Sequence, residues 1–190
     1  MSRPPPITEA AEEHPEVSKI SVAELVAATE GDEKNKELQC LDVRTDEEYN
    51  SGHVVGAMNV PSEQLLGEGV QESVAEELLS KFHAAGTKTV VVYCMYGQGR
   101  SPTIANTLAA LAKASGLSLE IALLEGGFHA FINAVHSKEE DAIGDVPGLV
   151  QNVKPVKWRR TSTHGLVNAD AVASVEQLIS EEKEKDGVVS

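Results

Sequence analysis

Six consecutive residues, Thr89-Val90-Val91-Val92-Tyr93-Cys94, constrain this chain more than any other stretch. A nearly unbroken β-branched run without polar alternation fits a strand covered on both faces, as in the middle of a parallel sheet. The run stops at a glycine-containing loop, Met95-Tyr96-Gly97-Gln98-Gly99. Beyond it, Ile104, Leu108 and Leu111 recur at helical spacing. Ser101 is expected to cap that helix, with Pro102 at its first position, where a missing N–H costs nothing.

The same alternation of strand and helix runs through most of the chain. Lys19-Ile20 closes a short strand, and Ser21-Val22-Ala23-Glu24 has the capping-box pattern of a helix start. Leu38–Val43 reads as a buried strand, and Thr45-Asp46-Glu47-Glu48 opens a second capped helix that ends near Gly52. Val54–Val60 predicts a strand stopped by Pro61. A helix follows from about Glu72 to Ala85, with Val74, Leu78, Leu79 and Phe82 on one face. Leu119–Leu124 is a further strand, broken by Gly126-Gly127 before a short helix from His129 to Val135. The expected architecture is α/β, a mainly parallel sheet flanked by helices, with its core from about Ser18 to His136.

The two ends differ from this core. Residues 1–17 combine a proline run with glutamates and read as a disordered lead-in, and Gly31–Glu37 as a charged loop. Residues 137–190 are expected to form an extended basic-aromatic segment, centred on Lys154-Pro155-Val156-Lys157-Trp158-Arg159-Arg160, and an acidic C-terminal helix. Asn168 would cap that helix, which runs to about Lys185 with Val172, Val175, Leu178 and Ile179 along one side. The basic segment is expected to wrap an acidic domain, or else to dock a protein partner or an acidic substrate.

Charge and composition narrow the functional classes. Sixteen Lys and Arg against 30 Asp and Glu give a net charge of −14, which argues against nucleic-acid binding by phosphate neutralisation. No apolar run approaches the roughly 18–20 residues of a membrane span, and Met1–Pro6 lacks an apolar signal region. Two cysteines, Cys40 and Cys94, make no disulfide framework, so a reducing, cytoplasmic setting is expected. The six histidines (14, 53, 83, 129, 136 and 164) show no metal-ligand spacing, and no metal is expected.

Chemistry concentrates at the loop after the central strand. Backbone N–H groups of Met95, Tyr96, Gly97, Gln98, Gly99, Arg100 and Ser101, at a helix N-terminus, would face an anion. Gly97 and Gly99 permit left-handed backbone, and Arg100 has the fork geometry for two oxygens of a tetrahedral oxyanion. The same field favours thiolate at Cys94, which makes it a candidate nucleophile with Arg100 as its catalytic partner. The plainer reading of Cys94 is a small core side chain at a strand end.

Leu41-Asp42-Val43-Arg44, Glu48-Tyr49, Gly52-His53-Val54, Gly56-Ala57 and Asn59-Val60-Pro61 resemble the rhodanese-homology domain family. Leu124-Glu125-Gly126-Gly127-Phe128 is similar to that family's closing strand and turn. The resemblance implies a rhodanese-like three-layer domain over residues 18–136. Sulfurtransferases of the family have a six-residue active loop. The C-x5-R loop from Cys94 to Arg100 instead resembles the branch of cell-division-cycle dual-specificity phosphatases and eukaryotic arsenate reductases. In this chain Tyr93 replaces that branch's usual histidine, Ser101-Pro102 replaces its Gly-Pro, and the loop carries no acidic residue.

By this resemblance, Asp42, Arg44 and His53 hold the loop and strand ends together. The Ser101 hydroxyl either caps the helix or donates to the thiolate, with the cap the expected role. Glu125, just past a strand end, is a candidate acid or a solvated side chain, and Cys40 a buried structural cysteine rather than a resolving partner. The leading expectation is Cys94 chemistry on a small oxyanion or phosphorylated substrate, either phosphate-ester hydrolysis or arsenate reduction. No cofactor is implied beyond an external thiol, such as glutathione, for the latter. Sulfur transfer through a Cys94 persulfide and a non-catalytic interaction module are the alternatives.

Overall fold

A computed structural model describes residues 17–29, 37–66, 71–136, 143–161 and 164–168. The expected lead-in, nearly all of the 31–37 loop, and the C-terminal helix beyond Asn168 lie outside the described residues. In chain order the elements are β1 (Ser18–Ile20), α1 (Val22–Thr29), β2 (Leu38–Asp42), α2 (Asp46–Tyr49), β3 (His53–Val54) and β4 (Met58–Asn59). There follow α3 (Glu63–Leu66), α4 (Gln71–Ala84), β5 (Thr89–Tyr93), α5 (Arg100–Ala114), β6 (Glu120–Leu124) and α6 (Gly127–Val135). The chain continues through β7 (Val150–Gln151), a 3-10 turn over Pro155–Lys157, β8 (Trp158–Thr161) and β9 (Gly165–Asn168).

Five strands form one sheet in the order β1-β6-β5-β2-β4, every pairing parallel. β5 takes the middle because its side chains are apolar in both directions. Val90 and Val92 pack with Leu78, Leu79 and Phe82 of α4 and Ile104 and Leu108 of α5. Val91 and Tyr93 pack with Leu25 of α1 and Phe128, Phe131 and Ile132 of α6. Two apolar clusters, one on each face, make the three layers.

Local chemistry sets the element ends. Ser21 and Glu24 form the expected box, with Ser21 N–H on the carboxylate at 2.8 Å and Glu24 N–H on the hydroxyl at 3.3 Å. Thr45 and Glu48 repeat the device at α2. The single strand expected over Val54–Val60 is two short ones. Gly56 turns the chain at φ +76°, so His53-Val54 pair antiparallel with β7 while Met58-Asn59 join the parallel sheet beside β2. The last helix of the expected core begins at Gly127, two residues before His129.

The core does not stop at His136. Leu149, Val150, Trp158 and Leu166 belong to the same buried cluster as Phe128. Trp158 is only 3% exposed. Its ring centroid stands 5.8 Å from that of Phe128, and its indole N–H donates to Ser51 O at 2.9 Å. A buried Trp needs such an acceptor, and the Ser51 carbonyl, just before β3, supplies it. Asn133 of α6 ties down the β8–β9 hairpin, its amide donating to Leu166 O at 3.0 Å and accepting from Leu166 N–H at 2.6 Å. The segment expected to wrap the domain therefore places its Trp in the core and leaves Lys154, Pro155, Val156 and Arg159 outside.

Candidate active site

Cys94 follows β5 directly, at the carboxyl end of the central parallel strand, where α/β sheets open their crevices. The loop over residues 94–99 then turns into α5. Its shape is set from behind. The first N–H groups of α6 hold two loop carbonyls, Phe128 N–H on Cys94 O at 2.9 Å and His129 N–H on Met95 O at 2.8 Å. With those carbonyls pinned outward, the following N–H groups turn in toward the sulfur.

This contact requires glycine. Gly127 adopts φ +61°, and a Cβ there would lie 2.5 Å from Cys94 O, 2.7 Å from Gly97 N and 2.8 Å from Met95 O. All three are backbone atoms that cannot swing aside. Gly97, at φ +70°, meets Gly127 N and Leu124 O at 3.1 Å from its own notional Cβ. Gly99, by contrast, has nothing near it.

The sulfur sits among donors. The Ser101 hydroxyl donates to Cys94 Sγ at 3.1 Å. Burial pushes the thiol up, but hydrogen bonds from the Ser101 side chain and from the N–H groups of Ser101, Gly97 and Tyr96 outweigh it. The net effect holds Cys94 below the ordinary thiol range, which favours the nucleophilic thiolate. Ser101 was expected to cap α5. The cap position is instead Gly99, without a side-chain bond, because α5 already begins at Arg100 and turns Ser101 inward onto the sulfur.

Arg100 is gripped from outside the loop. Its two terminal nitrogens donate to the two carboxylate oxygens of Glu48, Nη1 to Oε2 at 2.6 Å and Nη2 to Oε1 at 3.0 Å. Glu48 Oε2 also takes the Thr45 N–H at 3.0 Å, so one carboxylate caps α2 and orients the arginine. Burial raises the Glu48 carboxyl, yet the Arg100 and Thr45 hydrogen bonds leave it below its usual range, hence charged. Sequence reasoning missed Glu48 as a site residue. It reads as the third residue of a capping box, and nothing local tells that its carboxylate has a second customer 52 residues away.

The other loop residues divide by depth. Met95 is buried against the α6 face of the sheet. Tyr96 is 43% exposed, its ring tilted on that of His129 at 5.3 Å, and Gln98 lies exposed at the crest. Asp42 and Arg44 form a fully buried ion pair below the loop, with Arg44 Nη2 on Asp42 at 2.6 Å and on Gly52 O at 2.8 Å. The Arg44 guanidinium also lies 4.1 Å from the Phe128 ring centroid. His53 stacks on Tyr49 and is held by Tyr49 O and Gln151. These three residues knit the strand ends together.

Tyr93, standing where histidine was expected by resemblance, is fully buried, and its hydroxyl accepts the Val54 N–H at 3.3 Å. Burial, reinforced by Asp42, pushes its phenol well above the usual range, so it stays neutral. Glu125 is exposed. Cys40 packs in the cluster on the sheet face opposite that of Cys94, and burial together with Asp42 pushes its thiol up to about 12. Its register partner is Val91, so the sheet itself separates the two sulfurs. Among the described residues no cluster of His, Cys, Asp and Glu is placed to hold a metal ion, and no helix is long and apolar enough to cross a membrane.

A family model described as "Rhodanese-like domain" matches residues 22–134. Among curated proteins, the M-phase inducer phosphatase cdc-25.3 of Caenorhabditis elegans is 30% identical over 112 residues, 53% of this chain. That match spans only about a third, 32%, of the relative's own length. Among solved structures, the As-Sb reductase of Leishmania major aligns with a TM-score of 0.58 at 20% identity, covering 85% of this chain and 99% of that one. Ygr203w of Saccharomyces cerevisiae, described as a homolog of single-domain rhodanese and the Cdc25 phosphatase catalytic domain, aligns at 0.59 and 22% identity. There the coverage is 77% of this chain and 95% of that one. At such identities the two structures share the fold.

Proposed function

Because the chain belongs to the rhodanese-like domain family, we propose that it hydrolyses phosphate monoesters through a cysteinyl-phosphate at Cys94. The observation that carries this reading is the convergence of the Ser101 hydroxyl and the Ser101, Gly97 and Tyr96 N–H groups on Cys94 Sγ. Donors that stabilise a thiolate serve equally for the equatorial oxygens of a phosphoryl group in flight. With its terminal edge occupied by Glu48, Arg100 offers the Nε edge of its guanidinium to the same oxygens. The 30% identity with a phosphatase over the domain supports the same choice.

In the first step the Sγ–P bond forms as the P–O ester bond breaks, and the departing oxygen takes a proton from solvent. Water then attacks phosphorus, releasing phosphate and restoring the thiolate. Glu48, the carboxylate that grips Arg100, is held ionised and is a poor proton donor for the departing group. Substrates with good leaving groups should therefore turn over fastest.

That same scarcity of an acid favours a second reading, arsenate reduction, in which an external thiol such as glutathione supplies both electrons. A parallel assay separates the two. Wild type and Cys94→Ser are compared on an activated aryl phosphate and on arsenate plus glutathione, with vanadate as inhibitor. Vanadate-sensitive release of the aryl alcohol that vanishes in the variant supports the phosphatase. Turnover of arsenate alone replaces it with the reductase, and silence on both removes both readings.

A further inference from the structure

The segment Lys154–Arg160 holds four of the chain's 16 basic residues within seven positions, and the catalytic reading leaves it unused. The structure sorts it by direction. Trp158 points into the core, whereas Lys154, Val156 and Arg159 are exposed, Val156 by 84%. No other large apolar side chain among the described residues is displayed so fully; the next is 44% exposed. The display is rigid. Lys154 N–H and the Trp158 indole both donate to Ser51 O, at 3.2 and 2.9 Å, and Lys157 N–H closes the 3-10 turn on Lys154 O at 2.9 Å.

The turn is also fastened to the element that serves the active site. Lys157 Nζ pairs with Glu47 Oε1 at 3.2 Å, and the next residue of α2, Glu48, grips Arg100. Glu47 is 78% exposed, so this rim pair is weak and exchangeable.

We propose that the 154–157 turn, with Arg159, docks an acidic segment of a phosphorylated protein substrate, with an apolar residue of that segment on Val156. This rests on the phosphatase reading and names its substrate class. A net charge of −14 does not forbid it, since at physiological salt charges beyond about 8 Å are screened, and at the turn Lys154, Lys157 and Arg159 outnumber the neighbouring Glu47 and Asp145. A preformed turn loses little conformational freedom on binding, so even a short acidic segment gains from the contact.

The test uses the full chain and the triple variant Lys154→Glu, Val156→Ser, Arg159→Glu. Two phosphopeptides of equal length are compared, one flanked by Asp, Glu and a leucine, the other by Ser and Gln. Wild type should prefer the acidic peptide in kcat/KM by about tenfold at low salt, and the preference should disappear in the variant and at high salt. The rate on a small aryl phosphate should be the same in both proteins. Equal use of the two peptides by wild type, or a preference that survives in the variant, overturns the proposal.

Fluorescence anisotropy of an unphosphorylated acidic peptide on the Cys94→Ser chain reads docking without turnover. Loss of that binding in the same triple background supports the surface even if no aryl phosphate is hydrolysed, in which case the phosphatase reading alone has failed. If the triple substitution instead breaks a dimer seen by light scattering and leaves peptide use unchanged, the face joins two copies of the chain and the proposal falls. It falls equally if the acidic peptide binds only after Glu181, Glu182 and Glu184 are changed to Gln, because the chain's own acidic end is then the occupant.

Discussion

The Ser101 hydroxyl donates to Cys94 Sγ across 3.1 Å, from the first turn of the helix that follows the loop. A donor in that place stabilises the thiolate against the cost of its burial. The alkylation rate of Cys94 should therefore climb to its plateau at a lower pH than that of an ordinary thiol. Ser101→Ala should move the midpoint of this profile upward and slow iodoacetamide labelling near pH 6 by about tenfold. An unchanged profile would show that the backbone N–H groups suffice alone. Cys40, buried and pushed up to about 12, should stay unlabelled until the protein is unfolded, so mass spectrometry should find one adduct in the native state and two in denaturant.

Glu48 acts through Arg100. Glu48→Gln keeps the shape of the side chain but discharges one half of a two-bond fork. The expected result is a fall in kcat/KM on an aryl phosphate by about tenfold to a hundredfold, with the plateau rate of Cys94 alkylation unaltered. A variant that lost alkylation as well would indicate collapse of the loop rather than misplacement of the arginine. Arg100→Lys, which retains charge without the fork, should resemble Glu48→Gln.

Gly127 of α6, behind the loop, and Gly99, at the loop's end, differ in their tolerance of a side chain. Gly127→Ala drives a Cβ into the Cys94 carbonyl at a φ of +61°, and should cost several kcal/mol, on the order of 3, together with most Cys94 reactivity. Gly99→Ala, at φ −126° with open space around it, should leave the melting temperature nearly unchanged. Thermal denaturation of both variants, read beside their alkylation rates, checks the contrast.

Arg44 and Trp158 both stand against Phe128, whose N–H holds the Cys94 carbonyl. Removing Arg44 strands a fully buried Asp42 carboxylate, and Arg44→Ala should destabilise the fold by about 3–5 kcal/mol. Trp158→Phe keeps an aromatic ring but takes the indole N–H from Ser51 O, which retains only the Lys154 N–H, a loss of about 1–2 kcal/mol. Urea denaturation measures both. Trp158 is the chain's single Trp, so in wild type its emission should shift to the red as the β8–β9 hairpin leaves α6.

Much of this site is readable along the chain because its parts are local. β5, the loop glycines and the start of α5 are contiguous, so apolar pattern and glycine placement outline a strand, a glycine loop and a helix in succession. The errors fall where partners are remote. Val54–Val60 has the composition of one strand, but β7 captures its first residues and β2 its last. Ser101 has the features of a cap until the sulfur is placed within reach of its hydroxyl. Trp158 stands in a basic stretch that resembles a surface tail, and only the Ser51 carbonyl and the Phe128 ring show that it belongs inside.

By itself the sequence determined the α/β order, the middle position of β5 and the placing of Cys94 at the mouth of a glycine loop. Each follows from the alternation of apolar runs, caps and turns over a few residues, and needs no long-range information. The tertiary structure alone decided what surrounds the sulfur and the arginine. Whether Ser101 caps or donates, whether Arg100 stands free or paired, and whether the core ends at His136 or extends to the last hairpin all depend on contacts between residues far apart in the chain. A short polar side chain can satisfy either its own helix or a distant atom at similar free energy. Packing, by choosing which atom comes within reach, settles the matter.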